Sequence, residues 1–532
     1  MLARASRPEP RPEPQPVRAG RALRVLTGLA IAITLAAVVL RFAVAPLDRF
    51  DEGITLLRAM LLSQGALPYR DFWTSYGPFD SLLLAGLFHV FGLQVLIERM
   101  MAAALGIGFA AVGWRLCGGI GLRGPLRFSM TGLLALVAVS VPAVTATVVV
   151  DLLGLIAFAA FFRSIETRSR PLALAAGVTT GVASFARPEF ALALAAGLLT
   201  GHVILLLRRQ PGAGRRLALY ALGALLTAVL LWTPIVVAAG LPVVAFNLVV
   251  HTLAIYPAGR RIPLGQGPDG PAVLALAACF VGIWCWGGVR AVRGRTDPPE
   301  LARLTAVLVS AVIAFDWVLT RADAPHAIGA WPLTALLLAL LLQRRIGSMP
   351  PARHAALTSL ISVCLFMGAV LALAGRDLAR PAESDAVPHA AIVGSRAWMP
   401  ASQLAALVGK IDAAVPPGEP IFVGLQRNDL VVFNDAMLYF LSGRHPGTRY
   451  DEYIPALTTD ARIQELMTCQ LARSNTTLAV LGPNTAGEPQ NASSKPGSTI
   501  LDSWLRAHTV GRTDFPPYVV LRLRIEPSDR AC

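Results

Sequence analysis

The chain has 532 residues, is 55% hydrophobic and only 15% charged, and has a mean hydropathy of +0.59. These values exclude an ordinary soluble globular protein and place the chain in the membrane class. The net charge of +15 would suit nucleic acid, but no basic stripe with interleaved aromatics accompanies it, and the arginines gather at the ends of apolar runs.

Residues 1–22, rich in Pro, Arg and Glu, read as a disordered cytoplasmic tail. The apolar run that follows from Leu23 is too long for a signal h-region and lacks a small-residue cleavage site, so it is expected to stay as an anchor. After it comes an unusually long connector, Leu47 to Pro78, which packs Asp48, Arg49, Asp51, Glu52, Arg58, Arg70 and Asp71 into a chain with few charges. Connectors of roughly thirty residues are functional or disordered. The apolar spacing of Ile54, Leu57, Met60 and Leu61 speaks for a helix instead of disorder. The loop 47–92 is therefore expected to carry the active site.

A span needs about 20 apolar residues. The candidates are 23–46, 96–116, 126–143, 147–163, 171–186, 189–207, 217–239, 271–290, 301–319, 327–343 and 355–374, eleven in all. The run 79–92 is shorter, carries Asp80 and His89, and reads as an interfacial helix. Crossing alternately from an inner N-terminus puts the clusters at 115–127, 163–170, 208–216, 290–303 and 344–353 on one side. That agrees with the positive-inside rule and predicts an N-in, C-out protein, multi-pass in a bacterial plasma membrane.

The outer arginines run against this trend. They are Arg187 in SFARPEF, Arg260 and Arg261 in HTLAIYPAGRR, and Arg321, which is followed by Asp323 and His326. A structural ion pair with Glu189 or Asp323, or a place on the surface, would explain them. Ionisable groups near membrane depth nevertheless mark functional sites by default. Asp151 stands near the outer end of a predicted span, either as a buried, satisfied acid or as part of the site. His89 and His202 lie in apolar runs and are expected to be core.

After Ala374, β-like runs (Ile421–Leu425, Thr477–Gly482, Tyr518–Arg524) alternate with helical patterns (Ser402–Ala414, Ala461–Arg473, Ile500–His508). This predicts a small α/β domain over 380–532, on the outer side. The six cysteines show no metal-ligand spacing; Cys469 and Cys532 are candidates for a disulfide. The chain contains no Walker A sequence, GxGxxG after a strand, HExxH or GxSxG.

Carboxylates facing arginines at the outer membrane surface suit one chemistry. A carboxylate takes the proton of an acceptor hydroxyl while guanidinium forks hold a phosphate leaving group. Without a nucleotide-binding motif, a lipid-linked phosphate donor fits better than a soluble nucleotide sugar.

The order of apolar span, FDEG (Phe50 to Gly53), helix, GxxPYRDF (Gly65 to Phe72), YGP and an apolar run ending in Phe91-Gly92 resembles the GT-C membrane glycosyltransferases. The likeness is strongest to the branch of protein O-mannosyltransferases and lipid A aminoarabinose transferases, and extends to Glu98-Arg99 at the start of the next span. It implies an inverting transferase that takes sugar from a polyprenyl phosphate to an extracytoplasmic glycan, lipid or protein, within the lipid bilayer and without nucleic acid. It further implies Asp51 as general base and Glu52 as assisting group, with Asp48 as the alternative base. Arg321, Asp323 and His326 would hold the donor phosphate. Tyr69, Arg70 and Asp71 would contact the sugar or pack the loop. Gly53 departs from the larger residue usual after the acidic pair. No cofactor is implied; a divalent ion on Asp51 and Glu52 is conceivable, without an evident ligand set. A transporter of lipid-linked glycans and a non-catalytic assembly partner are the alternatives. The first would carry internal repeats and mid-span charges; the second would be indifferent to Asp51→Asn.

Overall fold

The computed structural model describes residues 45–140, 143–255, 261–266, 269–293, 297–346, 387–390, 398–430, 433–454, 456–484 and 496–532, together with a few isolated positions. The predicted spans 23–46 (apart from isolated positions) and 355–374, the tail 1–22 and Arg260 lie outside the described residues.

Two helices open the described chain, α1 (Asp51–Ser63) and α2 (Phe79–Phe91). The bundle then runs through α3 (Val95–Gly119), α4 (Gly124–Ser140), α5 (Ala146–Thr167), α6 (Arg170–Ala186), α7 (Pro188–Leu207) and α8 (Ala213–Ala239). After α8 come the short α9 (Leu241–Ala245) and a π-helical stretch, Phe246–Ile255. The bundle closes with α10 (Gly270–Arg293), α11 (Pro298–Ala314), the short α12 (Asp316–Thr320) and α13 (Ala324–Gly329), and α14 (Trp331–Ile346). All nine predicted spans within the described region are helical. Six described helical segments are long and apolar enough to cross a membrane. The helices at 126–143, 171–186 and 327–343 are shorter, at 17, 17 and 16 residues.

Helix starts follow local chemistry. Thr145 accepts from the Val148 N–H ahead of α5, and Ser169 from Leu172 ahead of α6. Pro188 opens α7, where its missing N–H costs nothing. Inside the bundle, small residues let backbones meet. A Cβ at Gly177 would stand 2.1 Å from the Tyr220 carbonyl oxygen on α8, and one at Gly197 2.2 Å from that of Ala306 on α11. His202 is fully buried between Phe161 and Tyr220, as expected of core. His89 is not core: it lies exposed on α2.

The C-terminal part holds α15 (Ala401–Ala414), β1 (Pro420–Leu425), α16 (Met437–Ser442), β2 (His445–Pro446), α17 (Ala461–Arg473), β3 (Leu478–Gly482), α18 (Ile500–His508), β4 (Thr509–Phe515) and β5 (Tyr518–Leu523). The sheet order is β2-β1-β3-β5-β4, with β1 parallel to both neighbours and β5 antiparallel to both of its own. The three expected strands and three expected helices are all present. Sequence patterning missed β4, whose residues TVGRTDF are mostly exposed at a sheet edge and gain strand form by pairing with β5. Cys469 and Cys532 form a disulfide.

The loop 47–92 is not an appendage. Leu56, Leu57 and Met60 of α1 share one hydrophobic core with Leu404, Val408, Leu438 and Leu441. Every residue from Glu52 to Leu61 is buried, so α1 is enclosed on all sides instead of amphipathic. At about 1.5–3 kcal/mol for each large apolar side chain buried, this core fixes the loop to the C-terminal part. Gly53 is part of the joint: a Cβ there would sit 2.5 Å from the Met437 backbone nitrogen. The Met437 N–H donates to the Arg49 carbonyl at 3.1 Å. The departure from the usual motif at Gly53 thus has a packing cause.

Candidate active site

One face of α1 builds the centre of the site. Asp51, Ile54, Thr55 and Arg58 fall at helical spacings i, i+3, i+4 and i+7 and line the same cavity, of about 380 Å³. Asp48 and Arg49 line it from just before the helix, and Tyr76 and Asp80 from the end of the loop. The opposite walls come from far along the chain: Thr147 at the start of α5, Arg187 between α6 and α7, Trp317, Arg321, Asp323 and His326 around α12 and α13, and Phe433 and Glu452 from the C-terminal part.

The cationic wall is held rigidly. Arg187 donates from Nε to Glu189 at 2.8 Å and from a terminal nitrogen to the Thr147 hydroxyl. Its guanidinium lies 3.8 Å from the centre of the Trp317 ring, with Tyr76 and Phe190 also beside it. Arg321 donates to Asp323 at 2.6 Å, and the His326 ring bonds the other oxygen of that carboxylate and stacks on Trp317. Burial works to raise the Asp323 carboxyl, but hydrogen bonds and charge from His326 and Arg321 outweigh it and hold it well below the usual range. The close of the loop 47–92 is locked onto the same place. The Gly77 N–H donates to the Ala186 carbonyl at 3.0 Å, and a Cβ at Gly77 would meet the Phe185 carbonyl oxygen at 2.0 Å.

The acidic wall is divided. Asp51 and Asp48 face the cavity. Asp48 is open to the cavity yet surrounded by protein, and desolvation holds its carboxyl above the ordinary range; the N–H of Phe50 opposes this and the Glu52 charge adds to it. Glu52 itself does not line the cavity. It is fully buried, bonded to Nε and a terminal nitrogen of Arg99, and accepts the Asp48 N–H at 2.9 Å. Arg99 also reaches the Phe42 and Pro46 carbonyls, while Glu98 accepts the Val144 N–H. Glu52 therefore braces the turn that presents Asp48 and Asp51. Its oxygens are taken up by this network, so a metal ion shared with Asp51 does not fit. Among the described residues, no cluster of three or more His, Cys, Asp or Glu is arranged to hold a metal ion.

Other sequence candidates lie outside the cavity. Arg70 and Asp71 form an exposed pair with each other at 2.7 Å. Tyr69 is fully buried and donates to the Tyr76 carbonyl at 2.6 Å, so it packs the loop. Arg261 is exposed beside Ile262, whose carbonyl accepts the Ala322 N–H next to Arg321. Asp151 is buried on α5 and feels the charge of Arg187. Sequence reasoning assigned no role to Arg58, Asp80, Trp317 or Glu452. Asp80 carried a signal, as an acid in an apolar run; Glu452 carried none.

No family model and no curated protein matches the sequence. The fold, however, recurs in solved structures. ArnT from Cupriavidus metallidurans bound to undecaprenyl phosphate, a lipid A aminoarabinose transferase, superposes with a TM-score of 0.59 at 16% identity, over 95% of this chain and 98% of ArnT. The apo state of the same protein gives 0.58 at 17% identity, over 94% and 98%. The Archaeoglobus fulgidus oligosaccharyltransferase with Zn and sulfate gives 0.48 at 12% identity, over 90% of this chain and 71% of that one. The chain is thus a membrane protein of GT-C-like fold, similar to ArnT almost from end to end.

Proposed function

We propose that this protein is an inverting glycosyltransferase that moves a sugar from a polyprenyl-phosphate donor to an extracytoplasmic acceptor. The observation that carries this reading is the single cavity in which Asp48 and Asp51 share space with Arg187, Arg321 and His326. Asp51 is the general base, drawing the proton from the acceptor hydroxyl as that oxygen attacks the anomeric carbon, and Asp48 is its neighbour and alternative. The bond to the phosphate oxygen breaks on the opposite side, and charge gathers on the leaving phosphate. Arg187 and Arg321 donate to that phosphate with pre-set guanidinium forks, which cost no reorganisation at the moment of transfer. Glu52 acts indirectly, by holding the loop. The ligand bound in the ArnT structure, undecaprenyl phosphate, supports a donor of this class.

The full topology belongs to the same proposal: eleven spans, N-in and C-out, with a transmembrane unit 23–375 and an extracytoplasmic unit 380–532. Three observations support it. Apart from Val137, the cavity gathers only segments assigned to outer connectors, to span ends or to the C-terminal unit. A second cavity gathers Arg290, Arg303 and Gln343 from inner ones. The Cys469–Cys532 disulfide suits an oxidising compartment.

The test is a transfer assay in reconstituted membranes with radiolabelled polyprenyl-phosphate sugars, wild type beside Asp51→Asn. Wild type is expected to consume one donor, and Asp51→Asn to lose about 10²-fold or more of the rate, the usual contribution of a general base. A fully active Asp51→Asn would move the base to Asp48. Failure of wild type on every donor would remove the transferase reading.

A further inference from the structure

The end of the cavity around Arg58 has no part in the phosphate capture or proton transfer described above, yet it is the most heavily built. Three elements converge there: Arg58 from α1, Asp80 from the first turn of α2, and Glu452 from the segment after β2. Their residues are only 6%, 5% and 4% exposed, and all three still line the cavity. A terminal nitrogen of Arg58 donates to Glu452. Among the described residues, the Arg58 Nε has no hydrogen-bond partner, and neither carboxylate oxygen of Asp451, next in the chain to Glu452, has one. Arg58 thus stands among three acids, Asp80, Asp451 and Glu452, and its charge acts on both Asp80 and Asp451.

The single arginine of this end is already paired with Glu452, so a phosphate would find no uncompensated positive charge here. Neutral hydroxyls fit it well, because carboxylates accept from them and a guanidinium donates to them. Burial makes the match selective: a ligand lacking the hydroxyl leaves buried polar groups unpaired, at a cost of about 1–3 kcal/mol each. Position agrees with this. Asp51 and Arg58 are two helical turns apart on one face of α1, about 10.5 Å along the axis, which leaves room for a sugar ring between them.

We propose that Arg58, Asp80 and Glu452 form the hydroxyl-recognition end of the cavity, and that through Glu452 the C-terminal part determines which donor sugar is accepted. This inference rests on the transferase reading and adds a specificity role for a part of the chain about 400 residues from the catalytic loop in sequence (Arg58 and Glu452 are 394 residues apart).

The experiment uses the full-length protein in reconstituted membranes, with the donor that wild type consumes, its monodeoxy analogues, and bare polyprenyl phosphate as inhibitor. Glu452→Gln is expected to raise the donor KM tenfold or more while inhibition by bare polyprenyl phosphate stays within twofold of wild type. Glu452→Asp should recover part of the loss. For one monodeoxy donor, wild type and Glu452→Gln should coincide. Two results with an active wild type overturn the inference alone: an unchanged donor KM, or a parallel loss of inhibition by bare polyprenyl phosphate, which marks a general effect on fold or on phosphate binding. A wild type inert toward every polyprenyl-phosphate sugar overturns the transferase reading, and this inference with it.

Discussion

Arg321 carries its own acid, Asp323, and through it His326, so its fork is already aimed before a donor arrives. Arg321→Ala is therefore expected to raise the donor KM about ten- to a hundredfold, the worth of one or two charge-assisted hydrogen bonds, and to leave the acceptor KM within about threefold, since the proposed mechanism activates the acceptor from the Asp51 side. Steady-state kinetics with donor and acceptor varied separately checks this; equal losses would remove Arg321 from the phosphate. Two buried acids of the C-terminal part make a second prediction. Burial raises Asp435 and Asp451 to about 7 each, against the hydrogen bond from Tyr518 and the charge of Arg58 respectively. A carboxyl raised on folding binds protons more tightly in the folded state, so stability is greatest below the unfolded value of about 4 and falls as pH rises through about 7. Asp435→Asn and Asp451→Asn should raise the unfolding temperature by several degrees at pH 8, with the gain shrinking toward pH 5. Thermal unfolding at the two pH values, in the same detergent, measures it. Sequence alone picked out Arg187 and Arg321 as ionisable groups at the ends of apolar runs, and Asp48 and Asp51 as acids of a long charged connector whose roles the family resemblance implied. It could not tell that Glu52 turns inward to Arg99 while Asp51, one residue earlier, turns to the cavity: that choice follows from a helical step of roughly 100° per residue and from what packs on each side.

At the level of elements, α1 is the hinge of the molecule's logic. Its apolar spacing announced a helix, but the all-round burial comes from being clamped between the bundle and α16. Gly53 sits in that clamp with no room for a side chain. Gly53→Ala should separate α1 from Met437 and destabilise the fold by about 1–3 kcal/mol, the usual cost of overpacking. It should also lower transfer by at least tenfold, because Asp51 lies two residues away on the same turn. Thermal unfolding together with the transfer assay tests this; a variant as stable and active as wild type would show that the clamp does not position the site. Strand β4 shows the opposite relation of sequence to structure. Its polar, exposed residues carry no strand signal of their own, and the hydrogen bonds to β5 supply the conformation.

For the whole molecule, the arginine distribution predicts sidedness, and an accessibility experiment decides it. In a background with Cys117, Cys279, Cys285 and Cys364 replaced by Ala, a cysteine at exposed Ser503 in α18 should react from outside intact cells with a membrane-impermeant maleimide. One at Arg168, in a connector predicted to be inner, should react only after permeabilisation. Reversal of the two would invert the orientation and exclude donor chemistry on the outer face. By itself, the sequence determined the membrane class, the helical positions of the nine described spans, the α/β character of the C-terminal part and the loop that holds the acids. Hydropathy, helical period and charge runs are local properties, and they are written within twenty or thirty residues of chain. Only the tertiary structure decided which charges meet. The pairing of Arg58 with Glu452, of Glu52 with Arg99, and the stacking of Arg187 on Trp317 join residues 394, 47 and 130 positions apart. Such partners are chosen by the burial of helices against each other and against the sheet, and a buried charge persists only where that packing delivers its counter-charge.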